Sequence, residues 1–491
     1  MFRASLRIAA MIAISAAISL NHLRGGERDD LALFESVPET SEFAILINSQ
    51  SSDTDGLIDQ AETDAGLSDD VKQLRKRLET LEQAAEKDRD SGAKQEAKIK
   101  KLEGAAEDNP KDKWKVKLGG HVQLDYVNWA NADDAITGDQ DYFSYRRLRL
   151  VADGTGYEQF DFRLQMTLEP GQGSTDNVFA SADVKDAYLS MNKIPGIGRV
   201  RFGNFFVPFS LEQVTNDTNN IFTERSIPTE GVFAASREVG VALYNCTSDE
   251  RLTWTGGLFF DDINDTVKTR IDDNQGYRLS GRLTWLPYYD KASDGRYLIH
   301  TGIGLLYTDD RDDLVRFSAR PQIQRGPLLI DSGVLAADSI TTGNAEFAMV
   351  WGPVTIQSEA FLSGISTGDP NSPQFSGAYA HVSYFLTSES RKFETFGQHG
   401  AQFGRNKPSR NFKLSRGGGG PGAWELKARL SNLDLRDVNR GEYNDITAGI
   451  NWYWTDRTRW MFDYIHPVTT GNAVFGKTNS DLLALRFDFS W

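Results

Sequence analysis

The sequence predicts an all-β transmembrane barrel of about sixteen antiparallel strands, preceded by an N-terminal α-helical coiled-coil segment. Three observations lead to this prediction. From residue 112 onward apolar and polar residues alternate, the alternating segments have the length of about nine to eleven residues that a tilted strand needs to cross a bilayer, and tryptophans and tyrosines collect near their ends. Because lipid offers no partner to a backbone polar group, such strands must close into a barrel.

Residues 1–19 have the features of a secretory signal peptide. Arg3 and Arg7 precede an apolar run over residues 8–20, and Ala17, Ile18 and Ser19 form a small-x-small cleavage site. The apolar run is too short for a typical membrane-spanning helix. The mature chain is therefore expected to leave the cytoplasm.

Residues 20–66 are predicted to be an acidic linker, for which a disordered state is one option. Residues 21–110 hold 22 acidic and 12 basic residues, so much of the net charge of -15 arises there. Within the linker, carboxylates follow the spacing of an EF-hand calcium loop, but Ser51 occupies the first loop position. A polar turn is the alternative to calcium binding by these side chains, which are Asp53, Asp55, Asp59 and Glu62.

Residues 67–108 are predicted to form a coiled coil. Val71, Leu74, Leu78, Leu81 and Ala85 follow the three-four spacing of an apolar seam. A lone helix of this length is marginal in water, so partner helices are expected. A solvated single helix is the alternative.

Residues 112–491 are predicted to be the barrel. In "FDFRLQMTLE", which begins at Phe160, every second side chain is apolar and the others are charged or polar. Soluble sandwiches also alternate, but the heavily charged second face is typical of a water-filled lumen. The connections alternate between short and long, as in "TDRT" (455–458) and the loop after His466.

The last segment, "DLLALRFDFSW", is predicted to close the barrel. Leu483, Leu485, Phe487 and Phe489 alternate with polar residues that would face the lumen, including Arg486 and Asp488. A closing strand must pair with the first strand, near residues 115–126.

Composition excludes several classes of function. A net charge of -15 argues against nucleic-acid binding, and one cysteine, Cys246, allows no intrachain disulfide. The six histidines show no metal-ligand spacing. No hydrolase triad stands out, and the glycine-rich stretch 416–424 lacks the lysine of a phosphate-binding loop. We expect no enzyme activity and no cofactor.

Several motifs of the barrel region resemble the phosphate-selective porins O and P. They include "VRFGNFFVPFSLEQVTNDTNNIFTERS" (200–226), "GAWELKARLSNLDL" (422–435) and "GINWYW" (449–454). The resemblance implies an outer-membrane porin, a homotrimer, that passes small anions such as phosphate or polyphosphate. It also implies contact with outer-membrane lipid, assembly by the barrel-assembly machinery, and a periplasmic position for the coiled coil.

Anion passage requires basic side chains around a narrow aqueous path, and guanidinium groups suit phosphate because they donate two parallel hydrogen bonds. The segment 208–238 is expected to fold inward, with Arg225 near the narrowest point. Ten predicted inward acids nearly balance the basic residues, so phosphate selectivity follows from the resemblance alone. The alternatives are a general or carbohydrate porin, and a structural anchor tethered to the cell wall by its coiled coil. The candidate pore-lining residues are Lys115, Lys117, Arg147, Arg149, Arg163, Arg199, Arg201, Arg225, Arg278, Arg282, Lys427, Arg429, Arg459 and Arg486.

Overall fold

The computed structural model describes Lys76, Leu78, Thr80 and residues 113–169, 183–260, 276–309, 313–368, 372–413 and 419–491. Within these residues, no helix combines the length and the apolar character that a membrane span requires. Lys76, Leu78 and Thr80 are helical. The rest of the predicted coiled coil lies outside the described residues, as do the signal peptide, the linker and the candidate calcium loop.

The described residues of the barrel form sixteen long antiparallel strands, and each strand pairs with its neighbour in the chain. The strands are β1 (Lys115–Asn131), β2 (Tyr142–Gly156), β3 (Phe160–Thr167), β4 (Asp183–Ile194), β5 (Gly198–Phe206), β6 (Arg237–Cys246), β7 (Leu252–Phe259), β8 (Tyr277–Tyr289), β9 (Tyr297–Asp309), β10 (Ser339–Trp351), β11 (Val354–Ser366), β12 (Gln374–Phe385), β13 (Ala423–Asp434), β14 (Glu442–Tyr453), β15 (Thr458–Thr470) and β16 (Asp481–Ser490). The predicted barrel and its strand number are confirmed. Strand length varies more than predicted, from 8 residues in β3 to 17 in β1.

The two ends of the strand order meet, so the sheet closes. β1 pairs with β16 in a register that runs from His121 opposite Ser490 to Asn131 opposite Asp481. The backbone N–H of Trp491 extends this ladder to the carbonyl oxygen of Gly120, 3.1 Å away. A Cβ atom at Gly120 would lie 2.4 Å from the carbonyl oxygen of Arg149, so the close approach requires glycine there.

Alternation places polar side chains in the barrel and apolar side chains outside. In β16, Arg486 and Asp488 are 2% and 3% exposed, whereas Phe489 on the opposite face is 40% exposed. In β13, Glu425, Lys427 and Arg429 are buried while Leu430 is exposed. The predicted inward and outward faces of these strands are therefore confirmed.

The barrel has one end with mostly short connections, which we call the short-turn end, and an opposite long-loop end. The turn between β14 and β15 is short, as predicted from "TDRT". The predicted rule of short connections at this end is wrong between β12 and β13, which are separated by residues 386–422 in sequence; the described part of this connection is residues 386–413 and 419–422. Part of it is a hairpin of Phe393–Gly397 and Gly400–Phe403, which we call the mouth hairpin.

Two long-loop segments fold into the barrel. Residues 207–236, which we call the inward segment, are almost all buried and contain the short helix α1 (Leu211–Val214). Residues 313–338 lie beside them, and the two segments build an apolar core with the wall. Phe233 stacks on Phe361 of β11, with ring centroids 5.9 Å apart, and lies 6.0 Å from Phe317. The long-loop end of the lumen is therefore partly filled by apolar packing, which the alternating pattern did not predict.

Candidate functional site

The inward segment begins at a carboxylate of the barrel wall. Glu359 on β11 accepts hydrogen bonds from the backbone N–H groups of Leu211 and Glu212, at 3.0 and 2.8 Å. It also accepts from Asn344 at 3.1 Å and from the Tyr379 hydroxyl at 2.6 Å. Backbone N–H groups at the start of a helix lack intrahelical partners, so this carboxylate fixes the start of α1 against the wall.

Residues 313–338 are attached to the wall as well. The Gln322 side chain donates to Asp445 on β14 at 2.7 Å and accepts from Thr447 at 2.9 Å. Within the same segment, Arg316 donates to Asp331 at 2.9 Å. This hydrogen bond holds the pKa of the Asp331 carboxyl below its ordinary value.

Asp217 of the inward segment lies among three guanidinium groups. Its Oδ2 is 3.0 Å from Arg147 Nε and 2.6 Å from Arg149 Nη1, and its Oδ1 is 2.9 Å from Arg225 Nη2. All four side chains are buried. A buried carboxylate needs such partners, because desolvating an isolated charge is costly.

Arg225 lies in the inward segment, as predicted, but its donors are used inside that segment. It donates to the carbonyl oxygens of Glu212, Gln213 and Thr215, at 3.1, 3.3 and 3.1 Å. These contacts hold the chain around α1 in a compact turn. Arg225 is therefore a structural tie of the inward segment.

Most other predicted pore-lining residues also meet acids. The closest nitrogen–oxygen pairs are Lys427–Asp463 at 2.6 Å, Arg429–Glu212 at 3.4 Å, Arg459–Asp488 at 2.9 Å, Arg486–Asp125 at 2.6 Å, Arg163–Asp153 at 3.3 Å, Arg201–Asp161 at 4.0 Å, Arg282–Glu346 at 2.7 Å, and Arg278 with Glu238. Among these candidates, an ion pair with a described residue is lacking for Arg199 and for Lys115 and Lys117, which are exposed at the start of β1. The candidates lie inside the barrel, and their contact with an anion stays a prediction.

Arg146 is an interior cation that the sequence pattern missed. Strict alternation in β2 would send one of Arg146 and Arg147 outward, but the register between β1 and β2 shifts at Gln123 and Leu124. The extra residue at this bulge lets both side chains enter the barrel. Arg146 donates to both oxygens of Glu224 in the inward segment, at 2.5 and 2.7 Å.

Arg199, Arg391 and Arg405 are among the guanidinium groups that have no ion pair with a carboxylate in the described part of the chain. Arg199 donates to carbonyl oxygens of the mouth hairpin at 3.0 and 3.1 Å, and Arg391 donates to Gln357 at 2.9 Å. Arg405 donates to the Ser490 hydroxyl at 2.5 Å and to Thr218 at 3.0 Å. All three lie towards the short-turn end, and the sequence indicated only Arg199.

A cavity of about 410 Å³ opens at the short-turn end. Its wall combines charges of both signs with side-chain amides and the terminal tryptophan. The principal lining side chains are His121, Asp153, Arg163, Asn219, Glu394, Gln398, Gln402, Arg405, Arg457 and Trp491. This surface suits a small polar solute, since it offers donors and acceptors together.

Comparison with known proteins decides the family. The model of the family "Phosphate-selective porin O and P" matches residues 116–491, a range that contains all sixteen strands except Lys115 at the start of β1. The chain belongs to this family. Its barrel is therefore an outer-membrane porin barrel, and the resemblance seen in the sequence motifs is confirmed.

Two relatives of this porin-family chain illustrate the range of similarity. Porin O of Pseudomonas aeruginosa is 26% identical over 408 residues, which cover 75% of this chain and 86% of Porin O. An uncharacterised protein of Caulobacter vibrioides is 29% identical over 332 residues, covering 65% of this chain. The chain spans only 61% of the length of that relative.

Solved structures of other barrels match with low identity. OmpT of Vibrio cholerae in its trimer form is 10% identical, with a TM-score of 0.48, and the match covers 77% of this chain and 100% of OmpT. An anion-selective porin from Comamonas acidovorans is 14% identical, with a TM-score of 0.46 and the same coverage.

Proposed function

We propose that this chain forms a water-filled outer-membrane channel for passive diffusion of small solutes, with a preference for small anions such as phosphate or polyphosphate. The main support for a channel is that the barrel is closed and that its inward positions are polar or charged. Such an interior has no use in an anchor that only needs to be held in lipid. Three inward-folded parts, the inward segment, residues 313–338 and the mouth hairpin, narrow the lumen and restrict passage to small solutes.

The anion preference is supported by the guanidinium groups that no carboxylate neutralises. Within the described residues these include Arg199, Arg391 and Arg405 at the short-turn end, where the exposed Lys115 and Lys117 add positive charge. The electric fields of the two charges in an ion pair largely cancel at a distance. A cation without such a partner keeps its field and attracts anions into a narrow path. Phosphate as the anion follows from the family description.

Bilayer recording in a salt gradient tests the anion preference. Purified protein in a planar bilayer, with potassium chloride more concentrated on one side, should give a reversal potential that favours chloride. A reversal potential that favours potassium would refute the anion preference. Phosphate added to the same bilayer should reduce the chloride current, and an unchanged current would remove phosphate from the proposal while leaving the channel.

A general porin for neutral polar solutes is the second candidate, and one observation favours it. The cavity at the short-turn end is lined by amide side chains and by nearly balanced charges, which bind sugars as readily as anions. Liposome swelling separates the candidates. Equal entry of neutral sugars and of anions of similar size would favour the general porin.

The remaining parts of the proposal follow the family resemblance. The chain forms a homotrimer, residues 67–108 form a periplasmic coiled coil after removal of residues 1–19, and the barrel-assembly machinery inserts residues 112–491. The heptad spacing supports association, since a lone helix of this length is marginal. Chemical cross-linking of the purified protein tests the trimer, and a monomer band alone would refute it.

A further inference from the structure

The stretch 220–224 of the inward segment has buried backbone carbonyls but no regular secondary structure. Buried carbonyl groups need hydrogen-bond donors, and here the donors come from side chains of the opposite wall. Arg459 donates to the carbonyl of Asn220 at 2.7 Å, and Arg429 donates to that of Glu224 at 3.0 Å.

Two of the three carbonyls between these positions, those of Ile221 and Thr223, are held in the same way. Lys427 and Asn451 both donate to the carbonyl oxygen of Ile221, at 2.5 and 2.8 Å. Arg486 donates to that of Thr223. These donors therefore come from four successive wall strands, β13 to β16.

The wall also accepts hydrogen bonds from the inward segment. Asp463 on β15 accepts from both the backbone N–H and the hydroxyl of Thr223, at 2.8 and 2.9 Å. Ser431 on β13 accepts from the backbone N–H of Ile227 at 3.2 Å. Contacts in both directions fix the distance between the stretch and the wall.

We infer that Lys427, Arg429, Arg459 and Arg486 are positioning residues that clamp the inward segment to the wall and thereby set the width of the lumen. This inference rests on the proposed channel and changes the role of four of its predicted anion contacts. Their donors are already used on a carbonyl and on a carboxylate, such as Asp488 for Arg459. A passing anion would take such a donor only by leaving a buried carbonyl unpaired, which is costly.

The clamp predicts that width and ion preference can be changed separately. The double substitution Arg459→Met with Asp488→Asn removes one clamp donor and keeps the net charge. The largest neutral polyethylene glycol that enters the channel should become larger, and the reversal potential should stay near that of the wild type. Lys117→Met is the matched control, because it removes a charge without touching the inward segment and should leave the polymer cut-off unchanged.

A variant without any change of charge protects the test against misfolding. Asn451→Ala removes a donor to Ile221, and it should also admit larger polymers. Only variants that fold are recorded; a folded barrel is recognised because heating changes its electrophoretic mobility. A conducting double variant with the wild-type polymer cut-off and a lower anion preference would overturn the clamp and restore the anion-contact role. A wild-type protein that conducts no current would instead refute the proposed channel.

Discussion

Substitution of Glu359 by glutamine should release the start of the inward segment. Glu359 Oε1 accepts from Glu212 N–H and the Tyr379 hydroxyl, and Oε2 accepts from Leu211 N–H and Asn344. Glutamine keeps one of the two oxygens and replaces the other with an NH₂ group. That NH₂ group faces the two donors that the replaced oxygen had accepted from, and it cannot accept from them. Two of the four hydrogen bonds are therefore lost.

The size of the effect follows from these contacts. Each oxygen accepts one hydrogen bond from the inward segment and one from the wall, so one of the two lost bonds belongs to the attachment. Leaving a buried backbone N–H group without a partner weakens the attachment by about 1–3 kcal/mol. The upper value corresponds to about a hundredfold shift towards the released segment, since about 1.4 kcal/mol is a factor of ten. A segment that leaves the wall transiently should appear as added current noise and as substates in an open channel.

Single-channel recording at constant voltage measures this prediction. Glu442→Gln is the matched control, because Glu442 is a wall acid that accepts from Asn432 at 2.8 Å, and Asn432 is also on the wall. It should keep the quiet current of the wild type. If Glu359→Gln channels were as quiet as wild type and showed the same single conductance level, the attachment of the inward segment by Glu359 would be refuted.

Three further outcomes are expected. Deletion of Phe489–Trp491 removes the strand pairing of Phe489 with Val122 and Thr458. The folded barrel, recognised by its heat-dependent electrophoretic mobility, should therefore be lost from the membrane fraction. Normal insertion would contradict closure by β16. Arg282→Met removes the 2.9 Å hydrogen bond to the carbonyl of Ala401, so limited proteolysis should cut the mouth hairpin faster than in wild type, and equal rates would argue against this attachment. Deletion of residues 21–110 should leave single-channel conductance unchanged, whereas envelopes that bleb would favour the cell-wall tether.

Periodicity was enough to predict the barrel wall. The alternation in β3, β13 and β16 depends on local sequence, and it separated inward from outward side chains correctly. Closure by the last strand followed from the need to remove sheet edges in lipid, and the pairing of His121 with Ser490 confirms it. These features need no knowledge of contacts between distant parts of the chain.

The interior could not be predicted in the same way, because its contacts join residues far apart in sequence. Asp217 of the inward segment meets Arg147 and Arg149 of β2, about seventy residues away in sequence, and no local pattern indicates that pairing. The inward position of Arg146 depends on a bulge that leaves no signal in "YRRLRL". The mouth hairpin was missed since its wall contacts are made by side chains, such as Arg282, to irregular backbone.

The central claim is that cations without a carboxylate partner set the ion preference of this pore. The most direct measurement is the reversal potential in a potassium chloride gradient for Arg405→Gln beside the double variant Arg459→Met with Asp488→Asn. Loss of the unpaired Arg405 should lower the anion preference, and removal of the whole Arg459–Asp488 pair should leave it unchanged. An Arg405→Gln channel that keeps the wild-type reversal potential, or a double variant that loses it, would contradict the claim.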